Sequence, residues 1–305
     1  MPNILKKLNS FTAMRVKYGS YAVIASSAAL PITLNYFVLA GGGATQESGA
    51  DLGGGGGGGG YRCTVTASGG SPGTVETALS LFTSTSYIVT VGAGGTGSMN
   101  TATNGIDSVF STVTSVGGGR GNAGLIGIAG GSGGGGGGNT SPTNAGGAGT
   151  ANQGFAGGTC SSDNATYTSP GGGGGAGLAG YDGTSGAAGA GGYGVNNNIM
   201  GIGAVQYGGG GGGNANAGRG DGAGGAGGGG AGNSTSPVAG STNLGGGAGS
   251  GANGANGGSG IIILKWLTAS GSITVGAGLT ADSTGTDGSY SYKRFTAGSG
   301  TVSFA

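Results

Sequence analysis

Apolar positions along this chain come in short runs bounded by glycine, not at helical spacing. Residues 32–116 carry four such runs: "ITLNYFVLA" (32–40), "YRCTVTA" (61–67), "TSYIVTVGAGG" (85–95) and "GIDSVFSTVTSVGGG" (105–119). Their Val, Ile, Thr, Tyr and Phe content, with glycine at the ends, predicts half-buried β-strands. "GSGIIILKWLTA" (258–269) is apolar without alternation and reads as a fully buried strand. Three short strands follow in "GSITVGAGLT", "GSYSYKRFTAG" and "GTVSFA". The stretch "TVGAG" occurs at 90–94 and again at 274–278, a weak echo on either side of a block dominated by glycine. No amphipathic helix is expected beyond residue 31, because each Gly inside a helix costs about 1 kcal/mol relative to Ala.

The block at 117–259 decides the architecture. Gly runs at 129–138, 171–180, 186–194, 208–213, 222–232 and 245–260 alternate with polar separators. These are "NTSPTN", "TCSSDNATYTSP", "GVNNNIMGIGAVQY" and "NSTSPVAGSTN", with the composition of turns. The chain holds 89 Gly and 6 Pro among 305 residues, a share usual for disorder. Ordering that much glycine is opposed by on the order of 100 kcal/mol of backbone entropy. Yet net charge is only +1 and 35% of residues are hydrophobic, unlike a solvated disordered chain. Collagen is excluded, since glycine does not hold every third position and proline is scarce.

One physical solution remains for an ordered block. Glycine in the extended threefold conformation rises about 3.1 Å per residue and turns N–H and C=O groups outward all round. Without Cβ atoms, such strands pack side by side and satisfy one another, each bond contributing about 0.5–1.5 kcal/mol net. The expected fold is therefore all-β with a polyglycine-II-like core. Residues 1–31 form an N-terminal segment, 32–267 the Gly-rich β/polyglycine domain and 268–305 a small C-terminal β module.

Chemistry-bearing clusters are scarce. There is no His, and carboxylates such as Asp107, Asp163, Asp182 and Asp221 are scattered singly, with no acid/base pair or metal cluster. GxGxxG matches lack the strand–helix setting that gives them meaning. No enzyme, cofactor, metal or nucleic-acid partner is expected. Cys63 and Cys160 could pair, or stay as two free or buried thiols, the simpler reading. The apolar run after the basic start is interrupted by Ser26, Ser27, Pro31, Thr33 and Asn35, too short for a membrane span. It reads as a segment leading into the first strand more readily than as a secretory signal. Arg219-Gly220-Asp221 spells an adhesion tripeptide, for which a local Arg–Asp contact at a turn is the plainer account.

An ordered series of motifs carries a family resemblance. "YFVLAGGG" is followed by "GGGGYR", "YIVTVGAGG", "GIDSVF", repeated Gly blocks and the closing "GGSGIIILKW". Over residues 32–305 this resembles the Gly-rich domain of tail fibres and other virion appendages of bacteriophages, cyanophages above all. It is also similar to phage adhesins with polyglycine cores. The resemblance implies an external virion protein with a rigid scaffold whose loops bind a host cell-surface glycan or protein. It also implies that residues 1–31, with Lys6, Lys7, Arg15 and Lys17, dock onto other virion proteins, and a homotrimer would fit. Phe155, Tyr167, Tyr181, Tyr193 and Tyr207, with Asn196, Asn197, Asn198, Ile199 and Met200, are the receptor-binding candidates. Each ring taken singly could equally cover an edge of the Gly slab. A purely structural virion role, or a secreted Gly-rich wall or ice-binding protein, stand as the alternatives.

Overall fold

The computed structural model describes residues 30–47, 52–138, 143–164, 167–216 and 219–305. The strands are β1 (Pro31–Leu39), β2 (Tyr61–Cys63), β3 (Leu79–Phe82), β4 (Tyr87–Thr90), β5 (Ser108–Phe110), β6 (Val113–Ser115), β7 (Ser161–Asn164) and β8 (Tyr167–Ser169). They continue as β9 (Val195–Asn197), β10 (Val205–Tyr207), β11 (Ile261–Leu267), β12 (Ile273–Val275), β13 (Leu279–Ala281), β14 (Gly285–Asp287) and β15 (Tyr290–Phe304). There is no α-helix among the described residues.

Eleven strands form one antiparallel sheet with main order β2-β1-β11-β15-β4-β5-β6; β3 pairs with β1, and β12, β13 and β14 pair with β15. The sheet nearly closes on itself. Its two ends meet where Gly60 N–H donates to Val116 O at 2.8 Å and Arg62 Nη1 to Thr114 O at 3.1 Å. Strand alternation sorts the side chains of β1 and β11 onto two faces. Leu34, Tyr36, Val38, Ile262, Leu264 and Trp266 enter a core inside the sheet, with Phe110, Phe295, Val302 and Phe304. Phe37, Leu39, Ile261 and Ile263 face the other way, into a second core with Tyr61, Ile199, Met200 and Tyr207. Both faces are covered, which is why these two strands read as nearly continuous apolar runs. The strands of 268–305 share the first core: β15 pairs with β11 from Ile262↔Phe295 to Leu267↔Tyr290 and with β4 from Ser299↔Thr90 to Val302↔Tyr87.

Several sheet strands run straight on, at one end, into rods of glycine. β1 continues into 40–47, β4 into 91–98 and β6 into 116–123, while 53–60, 103–107 and 254–260 lead into β2, β5 and β11. The continuation is smooth because a β-strand and a threefold rod have similar rises, about 3.3 and 3.1 Å per residue.

The rod Gly53–Gly60 lies at the centre, and its hydrogen bonds repeat every third residue. The amides of Gly54, Gly57 and Gly60 donate to Asn122, Gly119 and Val116. Those of Gly55 and Gly58 donate to Gly171 and Gly174, and those of Gly56 and Gly59 to Ala248 and Gly245. Its carbonyls accept from Gly43 and Ala40, from Gly135 and Ser132, and from Asn214 and Gly211. The rod thus has six neighbours, and those neighbours bond to one another in turn around it: 40–47, 116–123, 130–138, 170–176, 208–214 and 244–250. This is hexagonal packing of polyglycine-II rods. The sequence reading placed the Gly core at 117–259; its centre lies outside that block, in 53–60.

Glycine is required here by space, not by φ. None of Gly53–Gly60 has a left-handed φ. A Cβ on Gly55 would meet Gly211 O at 2.0 Å, on Gly56 would meet Gly43 O at 2.2 Å and on Gly59 would meet Ala40 O at 2.0 Å. Rods on the outside follow a different rule. Ala93, Thr96 and Met99 are exposed on one, Ala145, Ala148 and Ala151 on a second, Ala223 and Ala226 on a third. Threefold symmetry turns every third side chain of these rods to solvent, so an outer rod tolerates side chains at the positions that face away from the lattice.

Candidate recognition surface

The separators expected to supply a binding surface divide into buried and exposed parts. The hairpin of β9 and β10 pairs Val195↔Tyr207 through Val205↔Asn197 and lies over the second core. Asn197 is buried: its Nδ2 donates to Tyr61 Oη at 2.7 Å, and its Oδ1 accepts the Ile199 amide at 2.8 Å. Ile199 and Met200 are buried beside it. Tyr207 stacks at a tilt on Phe37, ring centroids 4.8 Å apart, as Tyr61 does from the same core at 4.7 Å. Burial pushes the Tyr207 and Tyr61 hydroxyls up from the ordinary phenol value, keeping both neutral. Asn197, Ile199, Met200 and Tyr207 are therefore a plug closing the second core, and a receptor cannot reach them. An apolar insert between Gly runs signalled a core contact instead.

The exposed candidates fall into two places. Asn196 and Asn198 face solvent from the hairpin. Tyr181 (46% exposed) and Tyr193 (50%) stand on adjacent outer rods, joined where Tyr181 N–H donates to Ala190 O and Leu178 N–H to Tyr193 O. Leu178 is also exposed and lies three residues before Tyr181, the spacing that sets both on one side of a threefold rod. Phe155 is half-buried on the next rod, whose Ala156 O accepts the Gly180 amide. This corner gathers Phe155, Leu178, Tyr181 and Tyr193 on three neighbouring rods. Leu178 was not singled out from sequence; its threefold spacing from Tyr181 was the available signal. Tyr167 lies in β8, and Lys6, Lys7, Arg15 and Lys17 lie outside the described residues.

Ionic groups hold structure. Glu76 accepts Tyr36 Oη at 2.6 Å, Arg62 Nη2 at 2.7 Å, Arg62 Nε at 2.9 Å and Ser68 Oγ at 2.9 Å. Burial opposes its charge, but these donors outweigh that and hold its carboxyl below the ordinary value. Asp221 caps the Ala215 amide at 2.9 Å, and Arg219 Nη1 donates to Ser169 Oγ at 2.9 Å. Both cysteines are free thiols and buried. Among the described residues no cluster of His, Cys, Asp or Glu could hold a metal, and no helix is long and apolar enough to cross a membrane.

No curated protein and no solved structure matches the chain. A family match runs from residue 19 to residue 267, the last residue of β11, so it spans the rods and the strands that lead into them. The chain belongs to the glycine-rich domain family.

Proposed function

We propose that the protein is a non-enzymatic component of a phage virion appendage, a tail fibre or adhesin, in which the polyglycine lattice holds an exposed surface rigid for contact with the host. The observation that carries this reading is the corner of Tyr181, Tyr193 and Leu178 on hydrogen-bonded rods. Tyrosine contributes a large amphipathic contact area with few rotatable bonds, which suits recognition of glycans or protein. A lattice fixed by backbone bonds loses little further freedom on binding. The resemblance of the ordered motifs to phage Gly-rich domains supports a location on the virion exterior, with residues 1–31 and their Lys6, Lys7, Arg15 and Lys17 toward other virion proteins.

A purely structural role, as a spacer or decoration, draws on outer rods such as 143–150 and 220–226, whose exposed Ala side chains offer little to recognise. Adsorption tests separate the two. Phage carrying Tyr181→Ala and Tyr193→Ala should assemble normally but lose host attachment at least tenfold. Full attachment by intact particles would leave the spacer reading. Absence of the protein from purified virions would refute both.

A further inference from the structure

A hexagonal array with one central rod and six around it has twelve sites in its next shell. Eleven are filled, by rods 91–98, 103–107, 125–129, 143–150, 154–160, 178–183, 188–194, 220–226, 227–232, 238–241 and 254–260, each bonded to the inner ring. The twelfth site, beside rod 116–123 and between 103–107 and 125–129, holds no rod among the described residues. A concavity of about 470 Å³ lies there, lined by Thr103, Asn104, Ile106, Arg120 and Ile128 among others.

The rod behind it is prepared for a neighbour. Its Gly118 and Gly121 amides donate to one flank and its Gly119 amide to another, which leaves Gly117 and Arg120 in the third direction, toward the unfilled site. Those two amides are held by side chains instead: Gly117 by Asp107 Oδ1 at 2.8 Å and Arg120 by Asn104 Oδ1 at 3.0 Å. The Arg120 side chain folds over onto Ala102 O at 2.7 Å. Exposed Ile106, Leu125 and Ile126 lie on the two flanking rods.

We infer that this groove is a docking site for an extended Gly-rich strand of another polypeptide, which would complete the shell. Among the described residues the Gly-rich runs already stand in the lattice. Residues 1–29 contain a single glycine, Gly19, and enter at Leu30, the end of β1 away from the rods. A second copy also fits badly, because its outer rods turn Ala, Thr or Tyr side chains outward where the groove needs glycine. Three occupied corners carry "AGGTGSM" (93–99), "AGGAGTA" (145–151) and "AGGA" (223–226), and two carry "LAGYDG" (178–183) and "VAGS" (238–241). All keep glycine at every third position, where it faces the lattice, and turn the remaining side chains away from it. Carbonyls of the incoming strand replace the Asp107 and Asn104 oxygens, and its lattice contacts continue those between existing rods. The inference does not depend on a virion location.

The test uses the full chain and the labelled nonapeptide (Gly-Gly-Ala)3, read by fluorescence anisotropy and by hydrogen exchange. The expected result is saturable binding, with exchange slowed at 103–107, 117–120 and 126–128 alone. Ile106→Trp, a change at an exposed residue lining the groove, should weaken binding at least tenfold without changing the melting temperature. The peptide (Ala-Ala-Ser)3, with no glycine at any third position, should not bind, since one Cβ in every three collides with the rods. Three results would overturn the inference. One is no binding at millimolar (Gly-Gly-Ala)3 by either the native chain or Asn104→Ala, which frees the Arg120 amide. Another is equal binding of both peptides. The third is slowed exchange at the groove that grows with protein concentration and no peptide, which would give the site to a second copy.

Discussion

The amide of Gly211 donates to the carbonyl of Gly56 at 2.8 Å, joining two rods 155 residues apart in sequence. The next residue back completes the relationship: a Cβ on Gly55 would meet Gly211 O at 2.0 Å. The same absence of side chain that makes glycine expensive to order lets its backbone groups meet. Gly56→Ala should therefore unfold the lattice locally, since Gly43 O stands 2.2 Å from the new Cβ and backbone cannot swing aside. Overpacking costs about 1–3 kcal/mol in ordinary cores, and this site belongs at or above the top of that range. Gly186→Ala, with nothing within 4 Å of its Cβ, should instead raise stability by about 0.4–1 kcal/mol. Paired denaturant melts measure both.

The Tyr207 plug and the exposed tyrosines should separate cleanly. Tyr207→Ala removes a ring packed on Phe37 and should cost about 3 kcal/mol or more. Tyr181→Ala and Tyr193→Ala, on an exposed corner, should change stability by less than about 0.5 kcal/mol each. Chemical denaturation of the three variants checks the ranking, and equal losses would contradict the assignment of plug and surface.

Glu76 gives the acid side of the stability profile. Its carboxyl titrates lower in the folded chain than in the unfolded one, because Arg62, Tyr36 and Ser68 donate to it against the pull of burial. The stability it contributes is present above its unfolded value, about 4.3, and is lost as pH falls through the lower folded value. Glu76→Gln should flatten that acid dependence. Unfolding curves between pH 6 and 2.5 report it, and an unchanged slope would contradict the network.

Cys160 sets an alkaline counterpart. Burial pushes its thiol up to about 11, from roughly 8.5 in an unfolded chain. A raised thiol contributes stability that is present below the unfolded value and lost as pH rises through the folded one, here between about 8.5 and 11. The native protein should resist thiol reagents at pH 8 until it unfolds. Rapid labelling of both thiols in the native state would contradict their burial.

Much of the fold was legible from local pattern. β1 and β11 announced themselves as apolar runs between glycines, and extended glycine was the conformation able to satisfy so many backbone groups. The centre was not legible because Gly53–Gly60 carries no side chain to mark its partners, and it stands apart from the larger Gly block. With the lattice known, a rule emerges: uninterrupted runs such as 53–60, 133–138 and 208–213 lie inside, while x-Gly-Gly spacing as in 145–151 marks the outside. The surface was half legible. Tyr181 and Tyr193 are exposed, but "VNNNIM" looked like a loop because polar Asn alternates with apolar residues that turn inward. The unfilled corner had no sequence signal, since a missing neighbour is a property of the array. The tail likewise could not show that β15 would insert between β11 and β4, because its pairing with β4, over two hundred residues away, leaves no local trace.

Hydrogen–deuterium exchange across residues 53–60 tests the central claim most directly. Every amide from Gly54 to Gly60 donates to a neighbouring rod, so the lattice predicts exchange as slow as in β1, despite eight consecutive glycines. Exchange at the rate of a free glycine peptide would mean the rods do not pack in solution, and the rigid scaffold would be refuted.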